Sequence, residues 1–211
     1  MRRGRVIYSL YIPDDCRLAR QQIESGDLTG AAETLSREAS FGRPNSCALL
    51  AYLHLRDIAT GLDADRVLEK CSTTAAAGHA YSQFVLAWAY FKSESPVEAC
   101  RWMKLSASQG FIPALADLGR FMASGVGLPT ADHVSARKMY RLALSKLHVP
   151  SAAYISRDLS EFGKNVGWRL IGRLMCPVTV LAMATMTYLK PFSLRSFAHV
   201  PNAKRPLFRS S

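Results

Sequence analysis

The chain has 211 residues, with 27 Lys or Arg against 16 Asp or Glu and a formal net charge of +11. One domain or one short repeat array fits this length, and an apolar fraction of 49% excludes a wholly disordered or collagen-like chain. The charge is unevenly distributed: residues 1–165 hold all 16 acids and 20 cations, whereas residues 166–211 hold seven cations and no acid. This pattern predicts a folded body followed by a basic, apolar tail.

The cysteines and the amino terminus indicate a protein of a reducing compartment. The five cysteines are odd in number and show no CxxC or other metal-type spacing. Three arginines precede an apolar run at residues 6–12, but that run is too short for a secretory signal and ends at Pro13. We therefore expect residues 1–13 to form a basic segment without an export signal.

Residues 14–42 predict a helical hairpin of the tetratricopeptide type. Asp14 or Asp15 can cap a first helix that ends at Ser25, and a Gly-Asp pair then makes the turn. Thr29 can cap the second helix, whose apolar positions follow at helical spacing.

Residues 43–160 contain an internal repeat. The segment 107–119 matches the segment 75–87 at an offset of 32, and shorter matches follow at an offset of 37 and precede at an offset of 36. Within a unit the apolar positions fall at helical spacing, and small residues stand where two helices must approach closely. Such a unit buries its apolar face only by stacking on its neighbours. The sequence therefore predicts about three hairpins in series, and eight to ten helices with no sheet in the whole chain.

The two central units resemble the Sel-one-like repeats, which are relatives of the tetratricopeptide repeats. The matching residues are Ala114, Leu118-Gly119, Phe121, Gly125-Val126-Gly127, Ala136, Met139-Tyr140 and Ala143 in one unit, and Leu86-Ala87, Tyr90, Ala99, Trp102-Met103 and Ala107-Ser108-Gln109-Gly110 in the unit before it. The earlier unit lacks the glycine loop and has residues 92–95 in its place. The resemblance implies an all-α fold, a right-handed superhelix of antiparallel helical hairpins, and an adaptor or scaffold role without catalysis.

No constellation in the sequence predicts a catalytic, cofactor or metal site. Cys47 and His54 lie two helical turns apart, about 10.5 Å of rise, which is too far for the hydrogen bond that activates a nucleophile. The other histidines share no ligand spacing. Gly125-Val126-Gly127 follows a predicted helix and lacks the lysine and third glycine of phosphate-binding loops. We therefore expect a protein that is not an enzyme.

The concave face of the repeats is the predicted surface for a protein partner, because the first helix of each hairpin lines that face in a solenoid. The residues expected there are Gln83, Trp88, Asp117 and Arg120. Trp88 has two interpretations: it contacts the partner, or it packs in the core.

Residues 161–190 predict an apolar, basic carboxy-terminal helix, and residues 191–211 a basic disordered tail. The charge-free run at residues 174–189 is slightly shorter than a usual membrane-spanning helix. The residues expected to contact lipid are Trp168, Arg169, Arg173, Lys190 and Arg195. Three interpretations stay open: a membrane anchor or surface-lying segment, a helix that caps the last repeat, and a nucleic-acid-binding arm.

These features together predict a protein-binding scaffold or adaptor at the cytoplasmic face of a membrane. Its partners would be another protein at the repeats and an anionic membrane at residues 166–211, whose apolar run favours lipid over nucleic acid. The alternative is a regulatory subunit, or a secreted bacterial effector, whose carboxy-terminal helix caps the solenoid. The oligomeric state stays open.

Overall fold

A computed structural model describes residues 11–58, 64–146, 148, 150–163 and 165–189. These residues form ten α-helices and no strand, which confirms the all-α prediction. The helices are α1 (Arg17–Ser25), α2 (Leu28–Ser40), α3 (Pro44–Leu55), α4 (Ala64–Ala76), α5 (Ala80–Lys92), α6 (Pro96–Ser108), α7 (Ile112–Ser124), α8 (His133–Ser145), α9 (Pro150–Phe162) and α10 (Val166–Leu189).

Within each unit of the described chain, consecutive helices pack on one another, as in an α-solenoid: α1 to α6 do so in series, and α9 packs on α8 and on α10. The Ser106 hydroxyl near the end of α6 donates to the Ala80 carbonyl at the start of α5, at 2.6 Å. The Thr74 hydroxyl near the end of α4 donates to the Ser82 hydroxyl near the start of α5, at 2.7 Å. Both contacts join the end of one helix to the start of another, so α5 runs antiparallel to α4 and to α6. The right-handed twist of the superhelix stays a prediction.

The described residues divide into two compact units with opposite net charge. The amino-terminal unit is Tyr11–Ala114, and the carboxy-terminal unit begins at Leu115. Residues 11–114 hold 12 acids and 10 Lys or Arg, whereas residues 115–189 hold 4 acids and 9 Lys or Arg. The excess of cations therefore lies outside the amino-terminal unit.

Helices α1 and α2 form the hairpin predicted within residues 14–42, but both predicted caps are wrong. Cys16 is the N-cap of α1 and makes no side-chain capping bond. The two aspartates bond elsewhere: Asp14 pairs with an arginine, and Asp15 accepts from an asparagine. Asp27 caps α2 by accepting from the amide of Gly30, so α2 begins one residue before Thr29.

The glycine loop between α7 and α8 has the backbone that the sequence predicts. Gly125 and Gly127 take φ angles of 73° and 66°, in the left-handed region that side chains disfavour. A Cβ atom on Gly125 would also lie 3.3 Å from the amide nitrogen of Ala131. The loop therefore turns the chain tightly before α8 begins at His133.

Helix α10 packs against α9 through a glycine. A Cβ atom on Gly172 would lie 2.6 Å from the carbonyl oxygen of Ser156 and would also clash with the amide nitrogen of Ser160. The side of α10 that carries Gly172 is therefore closed by α9. Pro177 lies within α10, and no helix among the described residues is long and apolar enough to cross a membrane.

Candidate functional site

The amino-terminal unit contains an open cleft of about 620 Å³. It lies where the first residues of α3 and α5 meet the chain that follows α4 and α6. Its lining residues are Tyr11, Pro44, Asn45, Thr74, Ala77, Gly78, His79, Ala80, Tyr81, Gln109 and Phe111. The cleft thus combines aromatic rings with amide, hydroxyl and imidazole groups, which is the composition typical of binding sites.

Three aromatic rings form one wall of the cleft. The ring of Tyr11 meets those of Tyr81 and Phe111 edge to face, with both centroid distances at 5.0 Å. The Tyr81 hydroxyl donates to the backbone carbonyl of Tyr11 at 3.0 Å. Burial raises the pKa of Tyr81 well above its usual value, so this phenol stays neutral. The wall is therefore a rigid apolar surface with a satisfied polar group beneath it.

Two glutamines form a hydrogen-bonded chain at the cleft. The Gln83 side-chain amide donates to the carbonyl of Ala75 at 3.1 Å, and its oxygen accepts from the Gln109 amide at 2.7 Å. Gln83 is buried, whereas Gln109 is exposed on the cleft lining. Gln83, a predicted partner-binding residue, thus supports the cleft from inside and holds Gln109 in place. The sequence does not predict Gln109 as a site residue, because its place in the repeat pattern is explained by the repeat alone.

His79 lines the cleft, and Asp15 lies outside the lining, where it bonds to the lining residue Asn45. The imidazole Nδ1 of His79 accepts from the amide of Ser82 and so caps α5. Burial lowers the pKa of His79, an effect that the nearby Asp15 carboxylate opposes. Both oxygens of that carboxylate accept from the Asn45 amide, at 3.1 and 2.9 Å. The cleft thus has an imidazole that caps α5 in its lining and a carboxylate next to its lining residue Asn45.

The other predicted partner-binding residues lie elsewhere. Trp88 is partly exposed on α5, and its ring meets that of Phe91 edge to face at 5.5 Å. Asp117 and Arg120 belong to the carboxy-terminal unit, where they form a buried ion pair at 2.8 Å. The Arg120 guanidinium also lies 6.0 Å from the centre of the Tyr154 ring. Because both side chains of this pair are buried, they stabilise the fold and cannot contact a partner. Among these three residues, only Trp88 has exposed side-chain surface.

A second polar cluster, which sequence reasoning missed, joins α8 to α9. The Nδ1 atom of His133 lies 2.7 Å from one oxygen of the buried Asp158, and Arg137 donates to the other oxygen. The His133 ring stacks on Phe162 with the centroids 3.9 Å apart. His133 and Arg137 are one helical turn apart, a spacing that could have signalled a shared acidic partner. The cluster satisfies a buried carboxylate and fastens α9 to α8.

The predicted lipid-contacting residues of the tail are placed only in part. Trp168, Arg169 and Arg173 are exposed on α10, and the Arg169 Nε atom donates to the Gly163 carbonyl at 3.1 Å. Lys190 and Arg195 lie outside the described residues, as does the tail predicted at residues 191–211.

Neither a scan against protein-family models nor a search of the curated proteins found a match for this chain. Among the described residues, no group of three or more His, Cys, Asp or Glu could hold a metal ion.

Proposed function

We propose that this chain is a non-catalytic adaptor of the Sel-one-like repeat type, whose amino-terminal unit binds a segment of another protein. Its carboxy-terminal part associates with the cytoplasmic face of a membrane. The observation that carries the proposal is the cleft of about 620 Å³, whose aromatic wall and amide groups suit a polypeptide.

The lining indicates what kind of segment fits. Tyr11 and Phe111 present ring surface to an apolar side chain, while Asn45 and Gln109 present amides that can bond a peptide backbone. The Asp15 carboxylate and the excess of acids in residues 11–114 favour a positively charged segment over an acidic one. The partner in this proposal is therefore a peptide with an apolar residue beside a basic one.

The chemistry of two buried thiols in the amino-terminal unit supports binding rather than catalysis. Burial raises the pKa of Cys71 to about 12 and that of Cys16 to about 11. Because the thiolate is the nucleophilic form of cysteine, these groups are poor nucleophiles at neutral pH. The imidazole of His79 is also engaged, since its Nδ1 atom caps α5.

The contact between α10 and α9 supports the alternative role of a capping helix. Gly172 allows α10 to approach the backbone of Ser156 and Ser160 directly. A cap of this kind is compatible with a regulatory subunit or a secreted effector, as well as with a membrane-bound adaptor. The chemistry of the outward side of α10 distinguishes these roles.

A pair of adjacent substitutions tests the cleft. Ala77 and Ala76 are both exposed, but only Ala77 lines the cleft. Ala77→Arg places a long cationic side chain in the cleft, where it excludes a peptide by its bulk and repels a basic one. Ala76→Arg adds the same side chain one residue away and serves as the control.

The probe is a phage-displayed peptide library selected on the full-length wild-type chain. The proposal expects enriched peptides with an apolar residue beside Lys or Arg, which bind wild type and Ala76→Arg alike and bind Ala77→Arg at least about tenfold more weakly. Circular dichroism and thermal melting should be the same for both variants. Enriched peptides that bind Ala77→Arg as well as they bind wild type would reject the cleft as the site.

A further inference from the structure

We propose that α10 lies in the plane of an anionic lipid surface, with the side opposite Gly172 inserted among the lipid headgroups. This inference rests on the membrane part of the proposed function. It names the helix, the helix face and the lipid charge that bring the chain to a membrane. The occupant of the exposed face of α10 is thus a bilayer surface rather than a second protein.

The outward face of α10 is apolar although it is open to solvent. At about 100° per helical residue, Leu170, Leu174 and Leu181 lie within about 20° of the direction opposite Gly172. Their side chains are 55%, 65% and 66% exposed, and the neighbouring Val178 is 67% exposed. The largest apolar side chains of a soluble helix normally face its core. Here the core side is taken by a glycine, and the leucines face outward.

Charge specifies the partner of this face. Arg169 and Arg173 are both exposed and lie on one flank of α10, between the side packed on α9 and the apolar side. Residues 166–211 contain seven cations and no acid. A self-associating apolar face would gain nothing from such uncompensated cations, whereas anionic headgroups bind them favourably.

The packing of α10 favours a helix that lies flat. The Gly172 side contacts the backbone of α9 so closely that no side chain fits between them. Lipid therefore reaches only the outward side, and the arginine flank holds that side at headgroup level. Such a helix buries its apolar face about 5–10 Å deep without exposing α9 to hydrocarbon.

The test is sedimentation of the full-length chain with two kinds of vesicle, phosphatidylcholine alone and phosphatidylcholine with phosphatidylserine. The double variant Leu170→Ser/Leu174→Ser removes the centre of the outward face. We expect it to bind the anionic vesicles about tenfold or more weakly than wild type. The control is Val97→Ser/Leu105→Ser, which changes two exposed apolar residues of α6 and should bind like wild type.

A charge variant separates the electrostatic contribution. Arg173→Gln should weaken binding to phosphatidylserine vesicles about fivefold and should leave binding to phosphatidylcholine unchanged. Arg157→Gln is the matched control, because Arg157 is exposed on α9 and already pairs with Glu161. Melting temperatures should be unchanged, since all the altered side chains are exposed.

An environment-sensitive fluorophore on an engineered cysteine reports the face that inserts. In a Cys176→Ser background, a probe at Val178→Cys should shift to the blue on anionic vesicles, while a probe at Ser108→Cys on α6 should not. If the serine double variant binds vesicles as well as wild type does, the outward face of α10 is not the lipid-binding surface and this inference is wrong. The membrane part of the proposed function would then depend on other residues. If wild type binds no vesicles, this inference and the membrane part of the proposed function are both wrong. A dimer that the double variant dissociates, without vesicle binding, would assign the face to a second copy and overturn the inference.

Discussion

Gly119 of α7 faces the ring of Tyr140 of α8 so closely that a Cβ atom on the glycine would lie 2.5 Å from the ring carbon Cε1. Tyr140 is buried, and its ring meets that of Tyr154 at 5.3 Å. The repeat pattern places a glycine after Leu118 and a bulky residue in the second helix. This contact gives the physical reason for both.

Gly119→Ala should destabilise the fold. Overpacking a core contact costs about 1–3 kcal/mol, which outweighs the gain of up to about 1 kcal/mol from replacing a helical glycine by alanine. The control is Gly167→Ala in α10, where a Cβ atom would meet only the Asn165 side chain at 3.4 Å. Urea unfolding should give a lower free energy for Gly119→Ala and an equal or higher one for Gly167→Ala. Equal unfolding free energies for the two variants would show that the contact between Gly119 and Tyr140 does not limit the packing of α7 on α8.

The buried ion pair of α7 should matter far more than an exposed pair of the same spacing. Asp117 and Arg120 are three residues apart and buried, whereas Glu98 and Arg101 have the same spacing on the surface of α6. Asp117→Asn leaves a buried guanidinium without its anion, at a cost of about 3–5 kcal/mol. Glu98→Gln should cost less than about 1 kcal/mol. Urea unfolding curves of the two variants test the difference, and similar losses would contradict the burial of the first pair.

His79 should make the fold less stable as the pH falls. Burial lowers its pKa from 6.5, so at mildly acidic pH the unfolded chain binds the proton more readily than the folded chain. The stability contribution of the neutral ring is present above pH 6.5 and is lost as the pH falls through the lower folded pKa. Protonation also removes the Nδ1 acceptor that caps α5.

His79→Asn isolates this effect, because asparagine is a good N-cap that does not titrate. Between about pH 7.5 and about pH 5.5, wild type should lose more unfolding free energy than His79→Asn. The measurement is urea unfolding of both proteins at the two pH values. Subtracting the loss in the variant from the loss in wild type cancels the contribution of the remaining histidines, which both proteins share. Parallel losses would exclude His79 as the pH-sensitive cap.

Only one of the five cysteines should react rapidly with a thiol reagent in the folded chain. Cys16, Cys47, Cys71 and Cys100 are buried and Cys176 is exposed. Burial raises the pKa of each of the four buried thiols, so both access and thiolate content are low. An Ellman titration should count one fast thiol in native protein and five in urea. Cys176→Ser should abolish the fast phase, and a second fast thiol would contradict the burial.

The fold follows from local sequence signals, and so do some of its details. The offset between segments 75–87 and 107–119 and the alternation of small and bulky residues predict the hairpins, because each repeat is a short unit that packs on its neighbour. The glycine loop at residues 125–127 is also predicted from local sequence, because a tight turn needs glycine at its left-handed positions. Its glycines take the positive φ angles that only a local turn requires.

Two histidines that lack metal-ligand spacing carry a different structural signal. His79 and Ser82 form a His-x-x-Ser cap at the start of α5, and the Nδ1 atom of His148 likewise lies 2.8 Å from the Ser151 hydroxyl near the start of α9. The two motifs are 69 residues apart, the sum of the two repeat offsets of 32 and 37. Repeat position therefore predicts a capping role for these histidines.

Other parts of the candidate sites depend on contacts between helices that no local pattern reveals. Asp158 meets His133 only because α9 packs antiparallel on α8. Helix α10 is apolar on nearly every side, so its sequence does not show which side is buried. The approach of Gly172 to α9 decides that, and with it which leucines face outward.

In the proposed function, one chain joins a peptide to an anionic membrane. The most direct measurement is cosedimentation of a fluorescent peptide, selected on the cleft, with phosphatidylserine-containing vesicles in the presence of the full-length chain. We expect wild type to carry the peptide into the vesicle pellet. Ala77→Arg should sediment without the peptide, and Leu170→Ser/Leu174→Ser should hold the peptide in the supernatant. If the peptide and the vesicles displaced each other from the wild-type chain, the chain could not join them and the proposed adaptor function would be wrong.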